Sequence, residues 1–384
     1  MKQISLLAAL LCLLLLTHCN TDNQEPSNHT LDKENNGTFD KDKLDKLLDL
    51  LNQNDKFMGT VALSHEGQVI YSKAIGYEDI ENQTSSTNET KYRIGSTSKM
   101  FTATLVFKAI DDKKLNIDQT IDHYFPTIEN AEKITVGNLL NHRSGIHSFT
   151  KDEAFWSYRT TYKSPQELLQ IISSYESDFE PDSQREYSNS NYLLLSLMLE
   201  KLYDKSFSEL LADQITTPLG LENTYYADGV NQLGNESNSY HYTSQWVKEE
   251  ATNLSIPMGA GSMVSTPIDL NKFTEALFNE KIISKESLDL MTSTQDNLGM
   301  GIMPFPHKNK MGYGHGGHID GFHTISIYYP EEKLAIALAS NAIDYNLDFL
   351  TRDVLRCYFN EPFELPNFEF PEITASELEK YVGV

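Results

Sequence analysis

Ser96 and Lys99 stand three residues apart at the start of residues 96–111, whose apolar positions have helical spacing. Residues at i and i+3 share one face of a helix, so the Lys99 amine can reach the Ser96 hydroxyl. A serine hydroxyl is a weak nucleophile until a base takes its proton, and Lys99 is such a base if its surroundings lower its pKa from about 10.4. The pair therefore indicates covalent catalysis, although this spacing alone is also typical of a capping serine followed by a surface lysine.

Tyr187 and Asn189 form a second candidate pair, in a polar loop before the apolar helical run at residues 191–205. A tyrosine hydroxyl can relay protons where cationic neighbours stabilise its phenolate, and an asparagine side chain can hold a substrate amide. By itself, the same loop is typical of an ordinary helix cap with a packed tyrosine. The pair becomes informative only in combination with the other motifs.

A third cluster, His315-Gly316-Gly317 followed by His318, comes just before a strand-like run at residues 323–329. Glycines beside a strand let the backbone of a ligand approach closely. Residues 312–317 also fit the pattern G-x-G-x-x-G, but a dinucleotide site needs a strand before it and a helix after it. Because a strand-like segment follows here, we exclude a dinucleotide site.

Histidines 315, 318 and 323 could supply zinc ligands, but no cysteine or acidic ligand set accompanies them at a familiar spacing. The sequence therefore predicts no metal site and no cofactor. The segment G-x-S-x-G, which carries the nucleophile of α/β-hydrolases, is absent from the whole chain. Its absence argues against a Ser-His-Asp enzyme of that fold.

The elements that must position these residues follow an α+β order. Hairpin patterns occupy residues 59–76 and 323–341, and helical patterns dominate residues from about 115 to 255. Strands near both ends of the chain can share one sheet only if the middle is an inserted region. We predict an antiparallel β-sheet flanked by helices, such as residues 41–54 and 348–359, with an inserted all-α region. The site is expected in the cleft between the two parts.

The first 19 residues are predicted to be a lipoprotein-type signal peptide. Their apolar run, residues 6–16, is too short to span a bilayer, which takes about 20 residues. The following segment LTHC resembles a bacterial lipidation site, so we expect Cys19 to carry a lipid. Its histidine departs from the small residue usual before that cysteine, and a plain signal peptide or a short anchor is the alternative. The polar residues 20–40 are predicted to be a flexible tether, which places the protein outside the cell, anchored in the bacterial cell envelope.

The composition excludes several classes of protein. The chain carries 31 lysines and arginines against 55 aspartates and glutamates, a net charge of −24, which repels phosphate backbones and argues against a nucleic-acid partner. Hydrophobic residues make up 39% of the chain, enough for a large core, so global disorder is excluded. Three cysteines are too few for a disulfide scaffold. The folded domain is expected at residues 41–362, followed by a tail at residues 363–384.

In chain order, the motifs S-x-x-K, Y-x-N and H-x-G resemble those of the serine β-lactamase and penicillin-binding-protein superfamily. The closest branch is that of the class C β-lactamases, D-alanyl-D-alanine carboxypeptidases and related esterases. Flanking segments also match, including YRIGSTSKMFTATL (92–105), ITVGNLLNHRSGI (134–146), EYSNSNYLLLSLMLEKL (186–202) and GHGGHIDGF (314–322). The resemblance covers roughly residues 42–360, and the superfamily's antiparallel sheet with an all-α insertion matches the predicted layout.

The resemblance implies a role for each residue of the first two motifs. Ser96 would be the acylated nucleophile, and Lys99 would help to deprotonate it. Tyr187 would act as general base and then as general acid. Asn189 would bind the amide on the acyl side of the substrate.

The third motif would lie on a strand that presents backbone donors to the substrate. Together with the amide of Ser96, the amide of His318 would form the oxyanion hole, in which one donor is commonly worth about 3 kcal/mol. Class C β-lactamases usually have a lysine, which helps to hold the β-lactam carboxylate, where this chain has His315. With His315 beside Gly316 and Gly317, a peptidase, amidase or esterase is therefore more expected than an efficient β-lactamase.

The predicted function is that of an exported serine hydrolase that acts through an acyl-enzyme on amide or ester bonds. Its partners would be a small-molecule or peptide substrate (a D-amino-acid peptide, an ester or a β-lactam) and the membrane, through the lipid anchor. One alternative is a receptor-like penicillin-binding protein that is acylated but turns over slowly. The other is a non-catalytic surface lipoprotein, against which the complete motif set argues.

Overall fold

Strands from both ends of the domain form one sheet in the computed structural model, which describes residues 39–227, 235–296 and 298–369. The strands are β1 (Phe57–His65), β2 (Gln68–Ile75), β3 (Tyr77–Asp79), β4 (Thr84–Ser85), β5 (Tyr92–Arg93), β6 (Tyr225–Tyr226), β7 (Tyr240–Tyr242), β8 (Trp246–Lys248), β9 (Met263–Ser265), β10 (Met303–His307), β11 (Lys310–Ile319), β12 (Phe322–Tyr329) and β13 (Leu334–Ile343). The helices are α1 (Lys41–Gln53), α2 (Ser98–Asp111), α3 (Val136–Leu140), α4 (Glu153–Tyr158), α5 (Pro165–Ser173), α6 (Asn189–Tyr203), α7 (Phe207–Leu211), α8 (Thr217–Leu219), α9 (Pro267–Phe278), α10 (Lys285–Thr292) and α11 (Leu347–Tyr358).

The six long strands run in the order β10-β11-β12-β13-β1-β2, and each neighbouring pair is antiparallel. Strand β1 pairs with β13 along its whole length, from Phe57 opposite Ile343 to His65 opposite Leu334. The two predicted hairpins are present as β1–β2 and β12–β13. These pairings confirm the α+β fold class with an antiparallel sheet.

Helices cover both faces of the sheet. Successive residues of β13 belong to different apolar clusters, because Ile336 and Leu338 pack with α1 and α11 whereas Ala337 joins the cluster around α2 and α9. Side chains alternate between the faces of a strand, so each cluster marks one face. Phe101 of α2 stacks on Phe273 of α9 with 3.7 Å between ring centroids, which ties α2 to the helix that lies on the sheet.

The predicted insertion, residues 115–255, contains helices α3 to α8 and also the short strands β6, β7 and β8. Its central helix is α6, in which residues 190–199 are all buried. Helix α6 contacts α2, α3 and the 3-10 turn Met258–Ala260. The beginnings of α2 and α6 therefore meet at the sheet. The described residues belong to one compact unit, and the boundaries predicted for the domain and its insertion stay predictions.

Among the described residues, no helix has the length and apolar character needed to cross a bilayer. The predicted signal peptide, Cys19 and nearly all of the tether lie outside these residues, as does most of the predicted tail.

Candidate active site

Ser96 lies in a 3-10 turn, Gly95–Thr97, at the entrance to α2. Gly95 has a φ of +48°, and a Cβ at this position would lie 2.8 Å from backbone atoms of His318. Both the conformation and the contact therefore favour glycine here. Thr97 Oγ1 donates to the carbonyl of His315 at 3.4 Å, so the turn packs on β11. Ser96 itself is partly exposed and lines a cleft.

Lys99 lies one turn further along and is completely buried. Its Nζ is 3.0 Å from Ser96 Oγ, 2.8 Å from Asn189 Oδ1 and 2.8 Å from the carbonyl oxygen of Ala260. None of these partners is a carboxylate, and burial lowers the pKa of Lys99 well below its ordinary 10.5. A neutral amine has two N–H donors, which Asn189 and Ala260 can accept, and one lone pair. That lone pair is available for the Ser96 proton.

Tyr187 packs against the same lysine, with Lys99 Nζ 4.9 Å from its ring centroid. Burial raises the pKa of Tyr187 above its ordinary 10, and the interaction with the Ser96 hydroxyl offsets this only in part. Tyr187 therefore keeps its proton at neutral pH. From the sequence, we expect a cationic neighbour to stabilise a phenolate form of Tyr187. A neutral Lys99 amine carries no charge and does not provide that stabilisation.

The amide of Asn189 is fixed from both ends. Its Oδ1 accepts from Lys99, and its Nδ2 donates to Thr150 Oγ1 at 2.8 Å. The backbone N–H of Asn189 donates to Ser148 Oγ at 3.0 Å. The second motif is therefore held to the first motif on one side and to the loop that follows α3 on the other.

The third motif lies within a strand, as the resemblance implied, although the sequence pattern placed it just before one. Residues 315–318 belong to β11, where His315 is opposite Ser326 and His318 is opposite His323 of β12. Strand β10 pairs with β11 only as far as Gly314. Beyond that point the Ser96 turn packs on β11, because a Cβ on Gly317 would lie only 1.9 Å from the carbonyl oxygen of Ile94.

His315 is buried and neutral. Its Nδ1 donates to the carbonyl of Gly316 at 2.5 Å, and its ring centroid is 6.4 Å from that of Tyr187. Burial lowers the pKa of His315 to about 3. A histidine has an ordinary pKa near 6.5, so part of it would be charged in mildly acidic solution. In the folded protein, the His315 imidazole is therefore uncharged in mildly acidic solution.

Two cavities meet at Ser96. The first cleft, about 600 Å³, is lined by Asn189, Thr150, Trp156 and Arg159 on the side of the helical region. The second groove, about 720 Å³, runs past Gly316 toward Leu347. Both cavities include Ser96, and a substrate bound across it can therefore place one part in each.

The structure adds three residues that the sequence analysis did not single out. Thr150 and the carbonyl of Ala260 complete the contacts of Asn189 and Lys99, and a backbone carbonyl has no side-chain signature that could have revealed it. His142 stacks on Tyr187 with 4.3 Å between ring centroids. Its presence in the matching segment 134–146 was the available signal. Within the described part of the chain, no group of three or more His, Cys, Asp or Glu side chains is placed to hold a metal ion.

The class of this protein is defined by its antiparallel sheet, its helical region and the serine–lysine–tyrosine cluster that lies between them. The profile of the beta-lactamase family matches residues 44–356, which is most of the chain. The chain therefore belongs to the beta-lactamase family.

Several relatives with stated activities are similar over most of the chain. A teichoic acid D-alanine hydrolase of Staphylococcus aureus is 26% identical over 333 residues, covering 84% of this chain and 80% of that protein. The D-amino acid amidase from Ochrobactrum anthropi SV3 complexed with D-phenylalanine has a TM-score of 0.74 and 26% identity over 83% of this chain and 99% of its own. An octameric penicillin-binding protein homologue from Pyrococcus abyssi has a TM-score of 0.74 and 25% identity over 84% and 78%. With hydrolases among these relatives, the protein is an enzyme of the serine hydrolase class.

Proposed function

We propose that this protein hydrolyses esters or amides of D-amino acids through an acyl-enzyme on Ser96. The observation that carries the proposal is the buried Lys99 amine, which Asn189 and Ala260 hold within 3.0 Å of Ser96 Oγ. The D-amino-acyl part is supported by the two relatives whose names specify D-alanine and D-amino acids.

In acylation, Ser96 Oγ attacks the substrate carbonyl while its proton passes to the lone pair of Lys99. The oxyanion is assigned to the backbone N–H groups of Ser96 and His318, and the packing of Gly95 on the His318 backbone supports this assignment. As the bond to the leaving group breaks, Tyr187 donates its phenolic proton to the departing oxygen or nitrogen. The resulting Tyr187 phenolate and Lys99 ammonium lie side by side and neutralise each other.

In deacylation, the Tyr187 phenolate takes a proton from water as the water oxygen attacks the acyl-enzyme carbonyl. The bond to Ser96 Oγ then breaks, and Lys99 returns its proton to that oxygen. The products are the free D-amino acid and the resting enzyme, in which Lys99 is again neutral and Tyr187 again protonated. No external cofactor is needed to balance these steps.

The residues of the second groove favour a leaving group that carries no negative charge near His315. A β-lactam carries a carboxylate, which in similar enzymes is held by a lysine at the position of His315. Here the side chain is a buried neutral imidazole whose Nδ1 is already bound to Gly316. An ester or amide with a neutral leaving group fits such a groove better than a β-lactam does.

We also propose that the enzyme is exported and anchored through a lipid on Cys19, with residues 20–40 as the tether. The support is the sequence alone: an apolar run too short to span a bilayer, the lipidation-like segment that ends it, and the polar stretch that follows. This placement would bring the enzyme to substrates of the cell envelope.

The nucleophile is tested with Ser96→Ala and the matched control Ser98→Ala. Ser98 lies in the same turn region, and its buried hydroxyl accepts from the backbone N–H of Met263 rather than contacting Lys99. Wild-type enzyme and the Ser98 variant should be labelled by a fluorophosphonate probe and should hydrolyse D-alanine methyl ester faster than its L-isomer. The Ser96 variant should do neither while keeping its circular dichroism spectrum.

The measured outcomes separate the possible functions. Labelling of Ser96→Ala on the same peptide would show that Ser96 is not the nucleophile. Stoichiometric labelling by a fluorescent penicillin without ester turnover would instead identify a slowly deacylating receptor. Equal rates of hydrolysis of the D- and L-esters would contradict the proposed preference for D-amino acids.

A further inference from the structure

His142 brackets Tyr187 through its own backbone and side chain. The carbonyl oxygen of His142 accepts the N–H of Glu186 at 3.0 Å, and its Nδ1 accepts the N–H of Ser188 at 3.1 Å. The backbone on each side of Tyr187 is therefore bound to the same residue.

The two rings are also stacked. The imidazole of His142 lies 4.3 Å from the Tyr187 ring with 29° between their planes, and its other neighbour is Tyr192 at 5.2 Å. Tyr192 is itself fixed, because its hydroxyl donates to the carbonyl of Leu140 at 2.8 Å. The imidazole therefore lies between a rigid tyrosine and the tyrosine that contacts Lys99.

His142 can fill this position because of its conformation and its charge. It is 2% exposed and has a φ of +60°, in the left-handed region where histidine and asparagine are enriched. Burial is the main reason that the pKa of His142 lies well below its ordinary 6.5. Since Nδ1 accepts a hydrogen bond, the neutral ring carries its proton on Nε2.

We propose that His142 is a positioning residue that holds the Tyr187 ring in line for proton transfer. The proposal rests on the function assigned above to Tyr187, and it assigns His142 no contact with substrate. A phenol that can rotate away from its stacked position donates its proton less often, although the substrate still binds.

The test compares His142→Asn with His147→Asn in the full-length enzyme. Asparagine tolerates the positive φ, and its Oδ1 can accept the Ser188 N–H, so the substitution at position 142 mainly removes the stacked ring. His147 is a matched control, because it lies in the same loop and packs on Tyr175, 4.7 Å away, rather than on Tyr187. We expect His142→Asn to lower kcat by about 10- to 100-fold with KM and the melting temperature little changed. His147→Asn should leave kcat within about twofold.

A double-mutant cycle shows whether the effect passes through Tyr187. In a Tyr187→Phe background, His142→Asn should cause no further loss in kcat for the D-alanyl ester. An equal loss in both backgrounds would overturn the proposal, because a general structural defect does not depend on the phenol. If the asparagine variant does not fold, His142→Gln takes its place in the same cycle, because its side-chain oxygen can also accept the Ser188 N–H while the stacked ring is removed.

Failure of this inference can be told from failure of the proposed function. If Tyr187→Phe alone is as active as the wild type, the role of Tyr187 is wrong and the inference falls with it. If Tyr187→Phe is impaired but His142→Asn is not, only the positioning role is wrong.

Discussion

The Nζ of Lys99 lies 2.8 Å from Oδ1 of Asn189, a contact that joins the start of α2 to the start of α6 across 90 residues of sequence. It accounts for one of the two donors of the neutral amine, and the Ala260 carbonyl accounts for the other. The direction of the remaining lone pair is therefore set by two elements that are far apart in the chain.

Lys99→Met should abolish most activity and change how stability depends on pH. Removing a general base typically costs about 10²- to 10⁴-fold in rate, here in kcat/KM for a D-alanyl ester. Because the pKa of Lys99 is lowered on folding from 10.5, unfolding takes up a proton at pH values between the lowered folded pKa and 10.5. Across that window the free energy of unfolding of the wild type should therefore rise, relative to the variant, as pH increases.

Urea unfolding of both proteins at a series of pH values measures this difference, with a slope of at most about 1.4 kcal/mol per pH unit for one proton. Parallel pH curves for the wild type and Lys99→Met would show that Lys99 is charged in the folded enzyme. They would thereby contradict its role as a base in the resting state.

His315→Gln should make the enzyme less sensitive to acid. The pKa of His315 falls from 6.5 to about 3 on folding, so the stability linked to this group is complete above about 6.5 and is lost as pH falls toward about 3. The glutamine variant lacks this contribution, and its free energy of unfolding should decline less steeply between these limits. A part of the slope should remain, since the pKa of His323 is also lowered, to about 4. Equal slopes for the two proteins would contradict the buried neutral state.

The same pKa predicts that substrate choice is independent of pH in mildly acidic solution. If His315 became charged near pH 6.5, carboxylate-bearing substrates would gain in kcat/KM as pH falls, whereas neutral esters would not. Because burial keeps the imidazole neutral down to about 3, the ratio of kcat/KM for the two substrates should stay constant between pH values of about 5 and 8. A ratio that follows a titration near 6.5 would show that His315 becomes charged near its ordinary pKa and would contradict its buried neutral state.

Gly317→Ala should be damaging, whereas Gly316→Ala, at the adjacent position, should be tolerated by the fold. A Cβ on Gly317 would lie 1.9 Å from the backbone oxygen of Ile94 and 2.8 Å from Thr97 Oγ1. The nearest atom to a Cβ on Gly316 is the Thr324 carbonyl oxygen at 3.7 Å. Overpacking of this kind costs about 1–3 kcal/mol.

Thermal unfolding and fluorophosphonate labelling of the two glycine variants test this contrast. We expect Gly317→Ala to lower the melting temperature by several degrees and to slow labelling, because β11 must move away from the Ser96 turn. A Gly317→Ala variant with the stability and labelling rate of the wild type would contradict the close packing of these two segments.

Cys19→Ser should prevent lipid attachment. Metabolic labelling with a radioactive fatty acid should mark the wild type and not the variant, and the variant should either be released or keep its signal peptide. Cys357→Ser serves as the control, because Cys357 lies in α11 and is buried. Equal labelling of Cys19→Ser and the wild type would refute the proposed anchor.

The sequence by itself determined the fold class and the proximity of Ser96 to Lys99. The leucines of α1 repeat with the period of a single buried face, so their pattern reports burial directly. Strands β12 and β13 are buried on both faces, and their short apolar runs on either side of a turn indicated a hairpin. The spacing of Ser96 and Lys99 is local, and helix geometry alone makes them neighbours. The local pattern missed strand β11 at His315-Gly316-Gly317, where only the resemblance implied a strand. Glycine has a low strand propensity, and the pairing with β12 compensates for it only in the folded protein.

The tertiary structure alone decided the protonation states. Whether Lys99 is a base depends on the Ala260 carbonyl, 161 residues away, and on burial beneath the helical region. Whether His315 is charged depends on its burial in β11 and on its contact with Gly316. A pKa measures the free energy of a charge in its surroundings, and surroundings assembled from distant segments leave no mark on the local sequence. The same holds for the stacking of His142 on Tyr187, in which two residues of ordinary type become partners only because α3 and α6 meet.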